Sequence, residues 1–275
     1  KIKYLRKCMK KIFKLLLKIM ISFKVDRYLK RIAFLIRKTY WLIKFKLKYR
    51  KSPLFIKTSY EHRKLARLNI NPKLVIDAGF NNGQFSSLVL EIWKNTKVVA
   101  FDPSPINSKY YASTLKKIYL KRFDFKNIGL SNTCENLNFN LSKSLDSSSY
   151  LQPTKINNEY FSSTKVVKSV KTKVETLANQ DYLMHIAFPW FLKIDIQGFE
   201  INLLNGIDKN QLKKIKWIYI EMTDYEMYRG QMKRTDINQW LLKNNFVLSQ
   251  QINLDKSLDG KIIYSDELYV NQNTR

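Results

Sequence analysis

Val75-Ile-Asp-Ala-Gly-Phe-Asn-Asn-Gly-Gln-Phe85 decides the fold. The apolar run Lys73-Leu-Val-Ile76 predicts a buried strand that stops at Asp77. Gly79 and Gly83 bracket a turn, and a helical pattern runs from Gln84 to Trp93. Glycine at these points permits positive φ and leaves room for a ligand beside the backbone. The following helix N-terminus offers unpaired N–H groups. Strand, glycine turn and helix together form the nucleotide-end corner of a doubly wound α/β sheet.

The spacing of the glycines narrows the ligand. A dinucleotide fingerprint needs three, as G-x-G-x-x-G, and this turn has two, as G-x-x-x-G. That disfavours a Rossmann oxidoreductase and suits a nucleoside without a pyrophosphate. S-adenosylmethionine (SAM) is such a ligand, and Asp77 is placed to meet its amino-acid end. A second apolar run, Lys97–Phe101, ends at Asp102-Pro103-Ser104-Pro105. An acid at the second strand tip is where such folds grip ribose hydroxyls. Gly79, Asn81, Gly83, Gln84, Asp102 and Pro103 complete the expected cofactor set with Asp77.

The second informative stretch is Pro189-Trp-Phe-Leu-Lys-Ile-Asp-Ile-Gln-Gly-Phe-Glu200. Trp190–Ile194 predicts a buried strand ending at Asp195, with Lys193 on the same side by alternation. Its tip is expected beside the first strand, facing the ligand crevice. A structural Lys–Asp ion pair is the alternative, at the cost of burying charge. Ile215–Met222 predicts another buried strand carrying Glu221, and Phe246–Ile252 with Ile262–Val270 predict a closing hairpin. Further strands are expected over 123–130, 137–141 and 166–174, with a short helix near Glu175–Tyr182. The Ser/Asn-rich stretch 142–163 reads either as a lid over substrate or cofactor or as a disordered loop.

Composition sets the outer bounds. The 275 residues suffice for one α/β domain and an appendage. The net charge is +28, yet nineteen of the fifty Lys and Arg lie within residues 1–51, against the single acid Asp26. Basicity is therefore mainly a property of an N-terminal extension, 1–52, preceding a domain at 53–275. Within residues 9–49, lysines at 10, 11, 14 and 18, and basic residues at 30, 31, 37, 38, 44 and 48, follow helical spacing around Leu, Ile and Phe. Apolar runs of about five residues fall short of the ~20 that span a bilayer, and no signal-peptide core is present. Three readings stay open: a basic amphipathic anchor on anionic lipid, helices packed on the domain, or a nucleic-acid arm. Cys8 and Cys134 show no disulfide or zinc pattern, which indicates a reducing, cytoplasmic setting. His62 and His185 lack ligand-spaced partners and read as packing or surface residues. A chain beginning at Lys1 is read as lacking its natural start.

Three stretches in fixed order now identify a resemblance. Asp77–Phe85, Phe101-Asp-Pro-Ser-Pro105 and Leu192-Lys-Ile-Asp-Ile-Gln-Gly-Phe-Glu200 resemble the FkbM-type SAM-dependent methyltransferases. Asn127–Leu130, Val170–Val174, Tyr219–Glu221 and Tyr228–Gln231 support it, over about residues 70–252. The resemblance implies a class I methyltransferase fold: a doubly wound, mainly parallel seven-stranded sheet with an antiparallel last strand. It also implies O-methylation, often of sugar or natural-product hydroxyls. Asp102 stands where Glu is commoner, shortening its reach by one methylene, and Phe80 and Asn82 replace smaller or aliphatic turn residues.

From this follow the expected catalytic roles. Asp195 is the general base for a sugar or glycan hydroxyl. Lys193 holds its charge or orients the hydroxyl. Glu200 organises the turn or touches substrate, and Glu221 closes the crevice. No metal is expected. The rivals are a nucleic-acid (RNA) methyltransferase using the basic extension and a non-enzymatic, membrane-attached binding module. The first is disfavoured because the fourth-strand tip is Asp-Ile-Gln-Gly instead of a base-holding Asn/Asp-Pro-Pro-aromatic.

Overall fold

The computed structural model describes residues 61–275, except Asn107, Ser162 and Arg275, together with Ile32, Leu35, Ile36 and 38–40 in the extension. The chain divides into two units, Lys1–Arg50 and Lys51–Arg275. In the first, the described residues are helical. The remaining expectations for 1–60, including the amphipathic faces, lie outside the described residues.

The second unit is built on short apolar runs, and the two central ones, Leu74–Ala78 and Trp190–Ile194, are buried throughout, as parallel strands covered on both faces must be. β1 (Leu74–Ala78), β2 (Lys97–Phe101), β3 (Phe123–Lys126), β7 (Trp190–Ile194) and β8 (Ile215–Met222) form the parallel part of a seven-stranded sheet. β9 (Phe246–Lys256) and β10 (Ile262–Asn271) complete it in the order β3-β2-β1-β7-β8-β10-β9, with β10 antiparallel to both neighbours. This is the class I methyltransferase arrangement that the resemblance implied. The order reverses between β1 and β7, so both strand tips open into one crevice.

Alternation assigns side chains to two layers. Leu74, Ile76, Leu192, Ile194, Ile218 and Ile220 pack with Leu203 and Leu204 of α4 (Glu200–Asn205) and Leu241 of α6 (Arg234–Lys243). On the other face, Phe191 and Tyr219 meet Phe85 of α1 (Gln84–Ile92), their rings 5.9–6.1 Å from it. His62, from the short helical turn Glu61–Arg67, closes this layer edge-on to Phe85 and Tyr219.

Two features differ from the expectations. β4 (Gly129–Ser131), β5 (Glu135–Ser142) and β6 (Val166–Thr176) form a separate three-stranded sheet, β4-β6-β5. After β6 the chain makes a tight helical turn at Asp181–His185, not a helix over Glu175–Tyr182. The stretch 142–163 is also tied down. It carries α3 (Lys155–Tyr160), capped by the Thr154 side chain, and its backbone bonds Met227 and Arg229 across the chain. α2 (Ser113–Tyr119) and α5 (Lys209–Lys214) complete the helices named here.

Candidate active site

The two tips are locked together by backbone. Asp195 N–H donates to the Ala78 carbonyl at 3.2 Å, and Gly79 N–H to Phe101 at 3.0 Å. At Gly79, φ is +85°, and an added Cβ would lie 1.8 Å from the Asp195 carbonyl oxygen. Its missing side chain therefore serves strand packing, although Gly79 also lines the cleft. Gly83 (φ +76°) meets the Phe80 ring and Leu115 of α2, away from the cleft, and Gln84 begins α1 without lining it.

A narrow cleft, open at its mouth, runs from Asp102 to Asp195. Gly79, Asn81, Asp102, Pro103 and Asp195 line it, with Tyr150 and Phe199 among the residues opposite. At one end the Asp102 carboxylate is fixed by two backbone donors, Asn81 N–H to Oδ2 (2.6 Å) and Ser104 N–H to Oδ1 (2.8 Å). Asn81 takes a left-handed backbone (φ 51°) to present its N–H. Burial pushes the Asp102 carboxyl up to about 6 against the pull of those donors and of Lys193. Asn127 Nδ2 holds the loop by donating to the carbonyls of Asp102 and Ser104.

Asp77, expected to meet the amino-acid end of a ligand, is fully buried and does not line the cleft. It accepts from Ser86 Oγ (2.6 Å) and pairs with Lys193 Nζ (3.2 Å), its register partner across β1 and β7. Lys193 is buried too; its ammonium donates to the carbonyls of Ala78 (3.2 Å) and Gly79 (2.6 Å). It is thereby kept from any acceptor hydroxyl, but it stands 3.5 Å from Asp195 Oδ2. Burial works against its charge, yet Asp77 and Asp195 hold its pKa above the ordinary value.

Asp195 is the carboxylate that the tip presents, with 37% of its side chain exposed. Burial pushes its pKa up, but the Lys193 ammonium and the Gln197 amide outweigh it and hold the group below the usual range. Glu221 is its opposite: burial, then the nearby charge of Asp195, raises it well above the ordinary value. One amide nitrogen, Gln197 Nε2, lies within hydrogen-bond distance of both side chains. The pair therefore holds its proton on Glu221 and its charge on Asp195. Glu200 is buried and turned inward, its Oε1 accepting from Gly198 N–H (3.0 Å) and Ile196 N–H (3.4 Å). Burial raises it to about 7. Of its two expected roles, this is the geometry of the turn organiser.

Gln197 was not among the expected site residues. It donates from Nε2 to Asp195 Oδ1 (2.9 Å) and Glu221 Oε2 (3.0 Å). Its place between Asp195 and Gly198 was the available signal. His62 Nδ1 lies 3.0 Å from Tyr219 Oη, within the aromatic layer. Among the described residues, no three His, Cys, Asp or Glu side chains are grouped to hold a metal.

Asp102 keeps lone pairs for a ribose diol, and the hydroxyl of buried, cleft-lining Ser104 has no partner among the described residues. Similar folds include precorrin-6y C5,15-methyltransferase from Geobacter metallireducens, at 12% identity and TM-score 0.40, covering 80% of this chain and 89% of that one. Magnesium protoporphyrin IX methyltransferase from Synechocystis, solved with SAM, shows 12% identity and TM-score 0.39 over 91% and 86%. TrmK from M. capricolum, bound to S-adenosylhomocysteine, shows 10% and 0.42 over 78% and 70%. No curated protein matches the sequence. The model of the methyltransferase FkbM domain matches residues 77–248, which takes in all three strand tips and the cleft between them. The chain belongs to the FkbM family of methyltransferases, and SAM is its cofactor.

Proposed function

We propose that the protein transfers the methyl group of SAM to a hydroxyl of a sugar, glycan or related metabolite, with Asp195 as general base. One observation carries this reading: Asp195 lines the cleft with the Lys193 ammonium 3.5 Å behind it, which favours its charged form, while burial pushes its neighbour Glu221 the other way. Asp102 holds the ribose, and Gly79, Asn81 and Pro103 shape the cofactor's bed. Bound SAM supplies a methyl on a positively charged sulfur, a leaving group that needs no protonation. The chain's own task is to place a hydroxyl in line and remove its proton. As the oxygen–methyl bond forms and the sulfur–methyl bond breaks, that proton passes to an Asp195 oxygen. Lys193, fixed behind the carboxylate, keeps the base charged until then.

The test is Asp195→Asn with labelled SAM and a panel of glycans. Transfer is expected to fall by ~10²–10⁴-fold, the usual contribution of a general base. SAM binding measured by calorimetry is expected to persist. Unchanged turnover would remove Asp195 from the reaction.

For the extension, the reading favoured is a peripheral anchor on the cytoplasmic membrane face. Its support is the concentration of Lys and Arg among Leu, Ile and Phe in residues 9–49. No helix among the described residues is long and apolar enough to cross a membrane. On this reading the acceptor is a lipid-linked or envelope glycan. Salt-sensitive pelleting with anionic liposomes tests the anchor, and transfer to soluble metabolites alone would count against a lipid-linked acceptor.

A further inference from the structure

The turn after β7 spends conformational energy on one side chain. Gln197 has φ 57°, next to Gly198 at φ 94°. A left-handed backbone costs a residue with a Cβ ~1–2 kcal/mol, and such outliers persist where neighbours over-determine them. Here they do. Both Nε2 hydrogens are used, on Asp195 Oδ1 and Glu221 Oε2, while Oε1 accepts from Tyr228 Oη at 2.7 Å. The main-chain carbonyl accepts from Ser149 Oγ at 2.6 Å. The reverse amide orientation would set its oxygen against the Asp195 carboxylate oxygen, so the charge on Asp195 favours the orientation in which nitrogen faces it.

We propose that Gln197 is a positioning residue: its amide fixes which oxygen of Asp195 faces the cleft and keeps that carboxylate ionised, and Tyr228 and Ser149 brace the amide. The proposal deepens the general-base reading and rests on it for its catalytic meaning. Among the described residues, other titratable groups that interact with Asp195 include Lys193 on its own strand, Glu221 and Tyr219 on β8, Glu200 on α4, Tyr228 after β8 and His62 from the turn before β1. Lys193 stabilises the charge from behind, through Oδ2. Gln197 does so through Oδ1, with a donor that bears no charge and cannot titrate. The same amide also bridges Asp195 and Glu221 without adding a charge between them.

The experiment follows the Asp195 carboxyl carbon by NMR in ¹³C-aspartate-labelled protein, with the signal assigned through Asp195→Asn. In Gln197→Met, which keeps length and loses the donors, the Asp195 titration midpoint is expected to rise by about one pH unit or more, as loss of a hydrogen bond to a charged group implies. Gln197→Asn, which favours the left-handed backbone but is too short to bridge both carboxyls, is expected to move it in the same direction. SAM binding by calorimetry identifies folded variants. An Asp195 midpoint that stays in place in a folded variant overturns the proposal. This readout needs no acceptor, so it is independent of whether Asp195→Asn abolishes transfer, the outcome on which the general-base reading stands.

Discussion

Two aspartates end neighbouring strands, are followed by glycine turns and share one lysine, yet they have opposite fates. Asp77 is sealed at 0% exposure, directly opposite Lys193 in the strand register. Asp195, two residues beyond Lys193 on its own strand, emerges into the cleft with 37% of its side chain exposed. The difference is where each residue sits relative to the last ladder contact. Asp77 still lies within β1, so its side chain belongs to the layer beneath α1 and finds Ser86 there. Asp195 comes one step after β7 ends, where the chain has left the layer. A charged residue at a strand tip is thus sealed within the layer or presented to the cleft according to a shift of one or two residues.

The comparison is broken most sharply through the shared lysine. Lys193→Met leaves Asp77 buried without its ammonium and the Ala78 and Gly79 carbonyls without a donor. Removing one partner of a buried pair costs ~3–5 kcal/mol, to be read as a lower urea midpoint. Asp195→Asn, at the exposed tip, is expected to change stability by about 1 kcal/mol or less. If the two variants unfold alike, the division into a structural and a chemical aspartate is wrong.

That division bears on what the sequence makes legible. The strand tips were readable because apolar runs stop at Asp77, Asp102 and Asp195, and burial on both faces demands such runs. Asp77 was assigned to the ligand because the sequence marks a strand's end only to within a residue or two, the margin on which its fate depends. The second sheet was not readable as separate, since the alternation of Val166–Thr176 suits either sheet. The stretch 142–163 looked loose because its order comes from partners distant in sequence: Ser149 holds Gln197, and Thr154 holds Glu226 and Met227. Gln197 has no chemistry of its own to advertise; its role appears only with its positive φ and its two carboxyl partners.

A smaller effect sharpens the contrast within the β7 turn, where Glu200 is the inward counterpart of Asp195. Burial raises its folded-state pKa to about 7, above the 4.5 of an ordinary glutamate, so the folded protein binds this proton more tightly than the unfolded chain. Its stabilising contribution is complete below about 4.5 and is lost as pH rises towards 7. The full change is ~3 kcal/mol at 1.36 kcal/mol per pH unit. Relative to Glu200→Gln, wild-type stability should therefore decline across that window and level off above it. Parallel stability curves for the two proteins would show that Glu200 stays ionised in the fold.

The smallest effect concerns the third tip, and it decides which acid serves the cofactor. If Asp102 holds the ribose diol as an acceptor, SAM binds best to its ionised form. With the free-enzyme carboxyl at about 6, each proton added below that pH must be displaced on binding. Affinity should be level above about pH 7 and about tenfold weaker at pH 5, a loss of ~1.4 kcal/mol. Calorimetric titration of SAM across this range measures it directly. Asp102→Asn should bind more weakly at pH 8 and lose this dependence, because an amide carries no titrating proton. Asp195→Asn should keep it, since that group is ionised throughout the window. An unaltered pH profile in Asp102→Asn would mean another cleft group senses the proton, and the ribose contact would have to be sought elsewhere along the rim.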